Sequence, residues 1–408
     1  MADHISKSTY SISEVSIRGF KSIEDLKVTI MPGLNILIGK NGAGKSNFLE
    51  GLNSILHSIY RGIIGFKNGS LVFNAIEDYS ISYTIDRLSA KAATSTVDDI
   101  NEAYQQKLLL NKEVIFDSTD IEAKTFNFKG KNIRSGGNLR LVLQRLGMRF
   151  ILPKYVRFDY PADIKGIAIP SSLNITLEAD DFWDYDVDST LLYKSYSKLE
   201  DSFFASIDDE DDDDLQNKWN HALSNLNAEN IISQMELDQE VIDNLRLFTP
   251  IKGLRFNKNI SLYRNDSHLI VDNIRLDFLV NDNWLPWSQL SDGTKRLFFI
   301  ITDVTLNKGG ITLVEEPELG VHPHQLSLLM QFLKEQSEDQ QIIISTHSPK
   351  ALDILTSEEL DRIMIARYEK GQGTQISRMI TEQREKATAY MNEVGYLSDY
   401  WLLSDLEE

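Results

Sequence analysis

Eight consecutive residues, Gly39-Lys40-Asn41-Gly42-Ala43-Gly44-Lys45-Ser46, fit the pattern G-x-x-x-x-G-K-[ST] at every fixed position. Glycines at these places let backbone N–H groups turn inward around an anion. A helix that starts at the end of the loop aims its positive pole at the same point. Lys45 is then set to reach the outer phosphates of a nucleotide, and Ser46 to ligate Mg2+. The bland alternative is a chance glycine-rich turn, and the flanks speak against it. The apolar run Leu34–Ile38 leads into the loop, and Phe48, Leu49, Leu52, Ile55, Leu56 and Ile59 follow it at helical spacing.

Three further clusters carry chemistry. Ile311-Thr312-Leu313-Val314 reads as a buried strand and ends in Glu315-Glu316. Successive strand side chains point to opposite faces, so the two carboxylates can take separate tasks. One can hold Mg2+, directly or through water, while the other polarises an attacking water. Leu290-Ser291-Asp292-Gly293-Thr294-Lys295-Arg296 precedes an apolar helical stretch. There Ser291 is either a helix cap or, with the Gly293 backbone, part of a second phosphate site. Ile342-Ile343-Ile344-Ser345-Thr346-His347 runs a strand into a histidine, which is either structural or a γ-phosphate sensor. His322 and His324 have no third ligand suggested nearby, which argues against a metal pair.

The elements that must hold these groups are legible in the periodicity. Val15, Ile17, Leu26, Val28 and Ile30 alternate with polar residues as in half-buried strands, with a turn at Pro32-Gly33. Short strand-like pieces recur at Leu71-Val72-Phe73 and 81–85, and again between 252 and 280. Residues 189–247 read as helical, broken at 208–214 by the run DDEDDDD, which repels itself and is expected to be a loop. The last third alternates helix (294–307), strand (311–314), helix (325–337) and strand (342–345). That order suggests helices on a mostly parallel sheet.

Composition bounds the class. The chain has 408 residues, 42% of them hydrophobic, enough for a sizeable core and more than one domain. It has no cysteine, which excludes disulfide scaffolds, cysteine–zinc sites and thiol catalysis. No apolar stretch approaches the roughly 20 residues of a membrane span, and the N-terminus MADHISKSTYSISEV has no signal-peptide core. A cytoplasmic protein without membrane contact is expected. The net charge is −19, but residues 178–245 hold 20 acids against 3 bases, while 124–165 hold ten bases against two acids. The basic segment, with Arg134, Arg140, Arg145, Arg149 and Arg157, leaves DNA open as a partner.

The order of these motifs resembles an ABC-type ATPase head of the RecF/SMC-like class, and within it the OLD-like AAA_21 family. RGFKSIEDL, GKNGAGKSNFLEGL, LSDGTKRL, VEEPELGVHP and STHSPKAL carry the resemblance. The spacing agrees: Glu316 lies 25 positions after Ser291, and His347 lies 31 positions after Glu316. The matching segments cover about a third of the chain, near 12–60 and 284–370.

The resemblance implies an α/β fold, an ABC-type P-loop head with a mixed α/β and helical insertion. Residues 1–60 and 284–408 would be the two halves of the head, and 61–283 the insertion. It implies ATP and Mg2+ as cofactors, and the absence of an N-K-x-D motif favours ATP over GTP. Glu315 would serve Mg2+, Glu316 would be the catalytic base and His347 the switch histidine. Ser291 and Gly293 would complete the site of a second copy in a head-to-head dimer. Glu318 to Pro323 match the loop that crosses that interface, and Lys21 matches a position near the γ-phosphate in some relatives. Gln144 is one candidate for the Q-loop glutamine. Only 59 residues follow Pro349, so an appended Toprim nuclease is not expected. Relatives of this build often act with a separately encoded effector or nuclease in antiphage defence. A RecF-like DNA-repair ATPase is the alternative.

Overall fold

The computed structural model describes residues 11–59, 65–76, 79–88, 104–120, 124–135, 139–146, 154–156, 163–170, 215–264, 268–404 and 406. The expected loop at 208–214, and Arg149 and Arg157 of the basic segment, lie outside them. In chain order the strands and helices begin with β1 (Ile12–Phe20), β2 (Ile23–Thr29), β3 (Leu34–Ile38) and α1 (Lys45–Ser58). There follow β4 (Asn68–Ile76), β5 (Tyr79–Arg87), β6 (Tyr104–Leu110), β7 (Glu113–Asp117), β8 (Lys124–Phe128), β9 (Lys131–Ser135), α2 (Leu139–Arg145) and β10 (Lys154–Val156). The middle holds β11 (Asp163–Pro170), α3 (Leu215–Asn225), α4 (Ala228–Gln234), α5 (Gln239–Phe248), β12 (Ile251–Phe256), β13 (Ser261–Arg264), β14 (His268–Val280), β15 (Asn283–Pro286) and α6 (Asp292–Leu306). The last third holds β16 (Ile311–Glu315), α7 (Pro323–Gln336), β17 (Gln341–Thr346), β18 (Ile363–Glu369), β19 (Gly373–Arg378), α8 (Thr381–Glu393) and α9 (Leu397–Leu403). None of the described helices is long and apolar enough to cross a membrane.

The chain divides into two compact units. One comprises residues 1–156 and 307–408, the other 157–306. The first is built on a twelve-stranded sheet in the order β10-β16-β17-β3-β18-β19-β2-β1-β4-β5-β6-β7. Its five-strand end, β10 through β18, is parallel. Every residue of β3 is buried, as an apolar run without alternation predicts for a strand covered on both faces. Residues 68–117 add β4–β7 to the same sheet.

The sheet is therefore mixed, and the expectation of a mostly parallel one holds only for the five strands β10, β16, β17, β3 and β18. The reason is local. β1 and β2 turn on Lys21-Ser22, and β4–β5 and β6–β7 are likewise joined by two residues each, which permits only antiparallel ladders. The alternating Val15, Ile17, Leu26 and Val28 all face the core, where they meet Phe48, Leu52 and Ile55 of α1.

The second unit contains the sheet β11-β14-β12, with β13 and β15 also on β14. Its helix α6 is pinned near its start by rings. Phe298 meets Phe278 edge-on at 5.1 Å, and Trp287 lies 5.0 Å from Phe299.

Candidate active site

In open α/β sheets ligands gather at the carboxyl ends of parallel strands. Three adjacent strands, β16, β17 and β3, end here in Glu315-Glu316, His347 and the glycine loop. The neighbours are fixed by register: Glu315 lies opposite Ser345, and Thr346 opposite Ile38.

The glycine loop departs from β3 under tight constraint. A Cβ on Gly39 would stand 2.3 Å from the Ala366 carbonyl oxygen. One on Gly44, whose φ is +93°, would stand 1.9 Å from Thr374 Oγ1. Only glycine meets both the close approach and the left-handed backbone. Gly44 caps α1 with no side-chain hydrogen bond, so no side chain competes for the first N–H groups of the helix.

The loop is braced from outside the motif. Asn47 Nδ2 donates to Ser22 Oγ at 2.6 Å, Ser22 Oγ lies 2.7 Å from Thr374 Oγ1, and the Thr374 N–H donates to the Ser22 carbonyl. Asn47 and Thr374 carry no sequence signal for this task. Lys21, in the left-handed region at φ 48°, is ion-paired with Glu50 on α1.

Lys45 is buried, and its Nζ donates to the Gly39 carbonyl at 2.6 Å and to the Lys40 carbonyl at 3.3 Å. The same Nζ lies 2.9 Å from His347 Nδ1. On the far side of the ring, His347 Nε2 lies 2.6 Å from Glu316 Oε1. An ammonium can only donate and a carboxylate can only accept. The consistent tautomer has Nδ1 accepting from Lys45 and Nε2–H donating to Glu316. The P-loop lysine, the histidine and the second glutamate thus form one hydrogen-bonded chain, and the His347 and Glu316 side chains remain partly open to solvent.

Glu316 has φ 45°, a left-handed backbone that costs a β-carbon residue about 1–2 kcal/mol. Its N–H is held by the Ser345 carbonyl at 2.8 Å. Strain of this kind, retained at a strand end beside a cluster of polar groups, marks a site rather than a scaffold. Glu315 points elsewhere and accepts from Tyr155 Oη on β10 at 2.6 Å. Sequence reading passed over Tyr155, since a tyrosine in a three-residue strand has no periodic signal. Ser46 and Glu315 offer oxygen donors, the chemistry that suits Mg2+.

Ser291 and Gly293 belong to the second unit. Ser291 Oγ lies 2.8 Å from Thr294 Oγ1 and accepts from the Thr294 N–H at 3.2 Å, which is a helix cap on α6. Ser291 is exposed and Gly293 buried. Gln144 is exposed on α2. His322 caps α7, its Nδ1 facing the His324 N–H at 3.3 Å. Among the described residues no group of three or more His, Cys, Asp or Glu is placed to hold a metal. The basic segment supplies exposed Lys124, Lys129, Lys131 and Arg134 on the β8–β9 hairpin and exposed Arg145 on α2.

Comparison with known proteins agrees with this geometry. Residues 150–353 match a family described as "AAA domain, putative AbiEii toxin, Type IV TA system", and residues 11–140 match a family described as an AAA ATPase domain. A protein of Vibrio cholerae named "Retron Vc95 probable ATPase" is 22% identical over 87% of this chain and 74% of its own. The DNA replication and repair protein RecF of Streptococcus equi is 32% identical over 20% of this chain, and the chain spans only 21% of that protein. A solved SMC head with an extended coiled coil, bound to a C-terminal domain of ScpA from Pyrococcus furiosus, is a looser likeness. Its TM-score is 0.47 at 13% identity, over 94% of this chain and all of that one.

Proposed function

This chain belongs to the AAA_21 family of ATPase domains and hydrolyses ATP, and from that premise we propose a head-to-head dimer that closes on two ATP molecules. The observation that carries the reading is the Lys45–His347–Glu316 chain at the ends of three adjacent strands. In the proposal, the loop N–H groups from Gly39 to Gly44 and the start of α1 cradle the phosphates, while Lys45 leaves its loop carbonyls for the outer phosphates. Lys40, Asn41 and Ala43 contribute backbone to the same cradle. Ser46 and Glu315 hold Mg2+, which neutralises phosphate charge when bound. Glu316 takes the proton of the attacking water, and His347 moves from Lys45 toward the γ-phosphate. Ser291 and Gly293 of one copy close on the nucleotide of the other, which gives the exposed serine a task beyond capping. Of the expected insertion at 61–283, residues 68–117 join the sheet that carries the glycine loop, so the specificity-bearing insertion is read as its remainder in the second unit, 157–283.

The dimer is tested by light scattering of the Glu316→Gln protein with ATP and Mg2+. Doubling of the mass is expected, and Ser291→Arg should abolish the doubling while ATP still binds. A protein that stays monomeric under trapping conditions refutes the dimer.

The biological role we propose is control of a separately encoded effector or nuclease in defence against phage. Likeness to a protein named as a retron ATPase over most of both chains supports it more than the short match to RecF does. Lys45→Ala should then remove protection of the native host in a plaque assay, and unchanged protection refutes it. The second reading, a RecF-like ATPase that binds DNA, is favoured by the exposed bases of the β8–β9 hairpin. It requires an affinity that falls steeply with salt. No binding at low salt with ATP and Mg2+ removes it.

A further inference from the structure

Glu318 lies two residues past Glu316, in the loop that leads from β16 to α7. That loop is shaped by two backbone bonds, Leu319 N–H to the Glu316 carbonyl and Val321 N–H to the Glu318 carbonyl, each 3.1 Å. The Glu318 carboxylate reaches across to the end of β17. There Oε1 accepts from Thr346 Oγ1 at 2.8 Å and from the His347 backbone N–H at 2.7 Å. Thr346 Oγ1 in turn accepts from the Ser348 N–H at 2.9 Å, which closes a turn around His347. Glu318 Oε2 is buried and has no hydrogen-bond partner among the described residues.

The parallel ladder between β17 and β3 ends at Thr346, so the His347 N–H has no partner in the sheet. A backbone donor at this depth needs an acceptor, and Glu318 provides a charged one. The opposing bond, Glu316 N–H to the Ser345 carbonyl, ties the other strand end. The two acidic residues thus lace β16 and β17 together on either side of the site. An imidazole has fixed length, so reaching Lys45 at 2.9 Å and Glu316 at 2.6 Å at once demands one orientation of its backbone.

We propose that Glu318 is a positioning residue for hydrolysis: its carboxylate fixes the Thr346–His347 peptide, the base from which His347 reaches Lys45 and Glu316 here and turns toward the γ-phosphate in hydrolysis. It acts only through His347, and the inference rests on the reading of His347 and Glu316 given above.

The test is a double-mutant cycle on kcat, with ATP affinity and thermal melts measured in parallel. Glu318→Ala should lower kcat by about 10²-fold, the scale of an ångström of misplacement, with ATP affinity near wild type. Glu318→Gln keeps a carbonyl oxygen for both donors and should retain most of the rate. On a His347→Ala background, Glu318→Ala should cost nothing further. Losses that multiply instead show that Glu318 does not act through His347 and overturn the inference. A His347→Ala protein with wild-type kcat overturns the reading of His347 itself, which is visible without any Glu318 variant. Should Glu318→Ala not fold, Glu318→Asp, one methylene short of both donors, takes its place. A folded Asp variant with wild-type kcat overturns the inference equally.

Discussion

Replacement of Glu316 by Gln should separate binding from hydrolysis. The side chains have the same shape, and the Gln carbonyl can accept from His347 Nε2 at the 2.6 Å now held by Oε1. The left-handed backbone at φ 45° is common to both residues, so the swap adds no new strain. Lys45 keeps its contacts to Gly39 and Lys40, and the loop proposed to cradle the phosphates is untouched. What disappears, on the proposed assignment, is basicity toward the attacking water. Loss of a general base costs about 10²–10⁴-fold. At about 1.36 kcal/mol per decade, that raises the barrier by about 2.7–5.4 kcal/mol. Binding of a fluorescent ATP analogue reads the first half of the prediction, and single-turnover phosphate release reads the second. Affinity near wild type with hydrolysis down by at least two decades is expected. Hydrolysis at the wild-type rate would refute Glu316 as the base and turn attention to Glu315. The backbone supplies an internal control. At this φ, Gly escapes a steric cost of about 1–2 kcal/mol that Ala pays, against about 0.5–1 kcal/mol of extra chain entropy. Glu316→Gly should therefore melt above Glu316→Ala although both are inactive.

Gly44→Ala combines φ +93° with a Cβ 1.9 Å from Thr374 Oγ1, so it should displace the loop and remove ATP binding, measured by titration; wild-type affinity contradicts the close approach. At the C-terminal end the apolar residues divide into buried and exposed ones. Trp401 is 3% exposed and Leu403 78% exposed. Trp401→Ala should cost about 3–5 kcal/mol by thermal or denaturant unfolding, whereas Leu403→Asp should stay within about 0.5 kcal/mol. Removal of everything after Gly395 should lower the melting temperature, because Ser398 also binds Asp353 at 2.8 and 2.9 Å. Burial pushes the Glu359 carboxyl up, but the Lys334 ammonium at 2.6 Å and the Thr356 N–H more than reverse this and hold it below the usual carboxylate range. Its contribution to stability is therefore complete above the unfolded carboxylate value and lost as pH falls through the folded one. Lys334→Met should flatten the acid limb of the stability–pH curve, and an unchanged limb contradicts the pairing.

Much of the site was legible because its parts are local. The glycine loop is one run of chain whose φ values and uncapped helix start follow from the residues that spell it. The buried strand before it, the amphipathic helix after it and the strands ending at Glu315 and Thr346 announce themselves by period and apolarity. Even there the boundaries shifted: α6 begins at Asp292 rather than 294, and α7 at Pro323 rather than 325, because capping residues belong to helices that apolar spacing alone cannot date.

Adjacency is what the tertiary structure decided. Lys45 and His347 are 302 residues apart in the chain and 2.9 Å apart in space, because β3 pairs with β17 in one register. Tyr155 meets Glu315 across 160 residues through the pairing of β10 with β16, and Thr374 closes over Gly44 from β19. Glu318 stands in plain view in the sequence, but nothing in its spacing tells that its carboxylate takes the backbone N–H of His347. Such partners are set by strand order and register, quantities that depend on the packing of the entire sheet and leave no period in the chain.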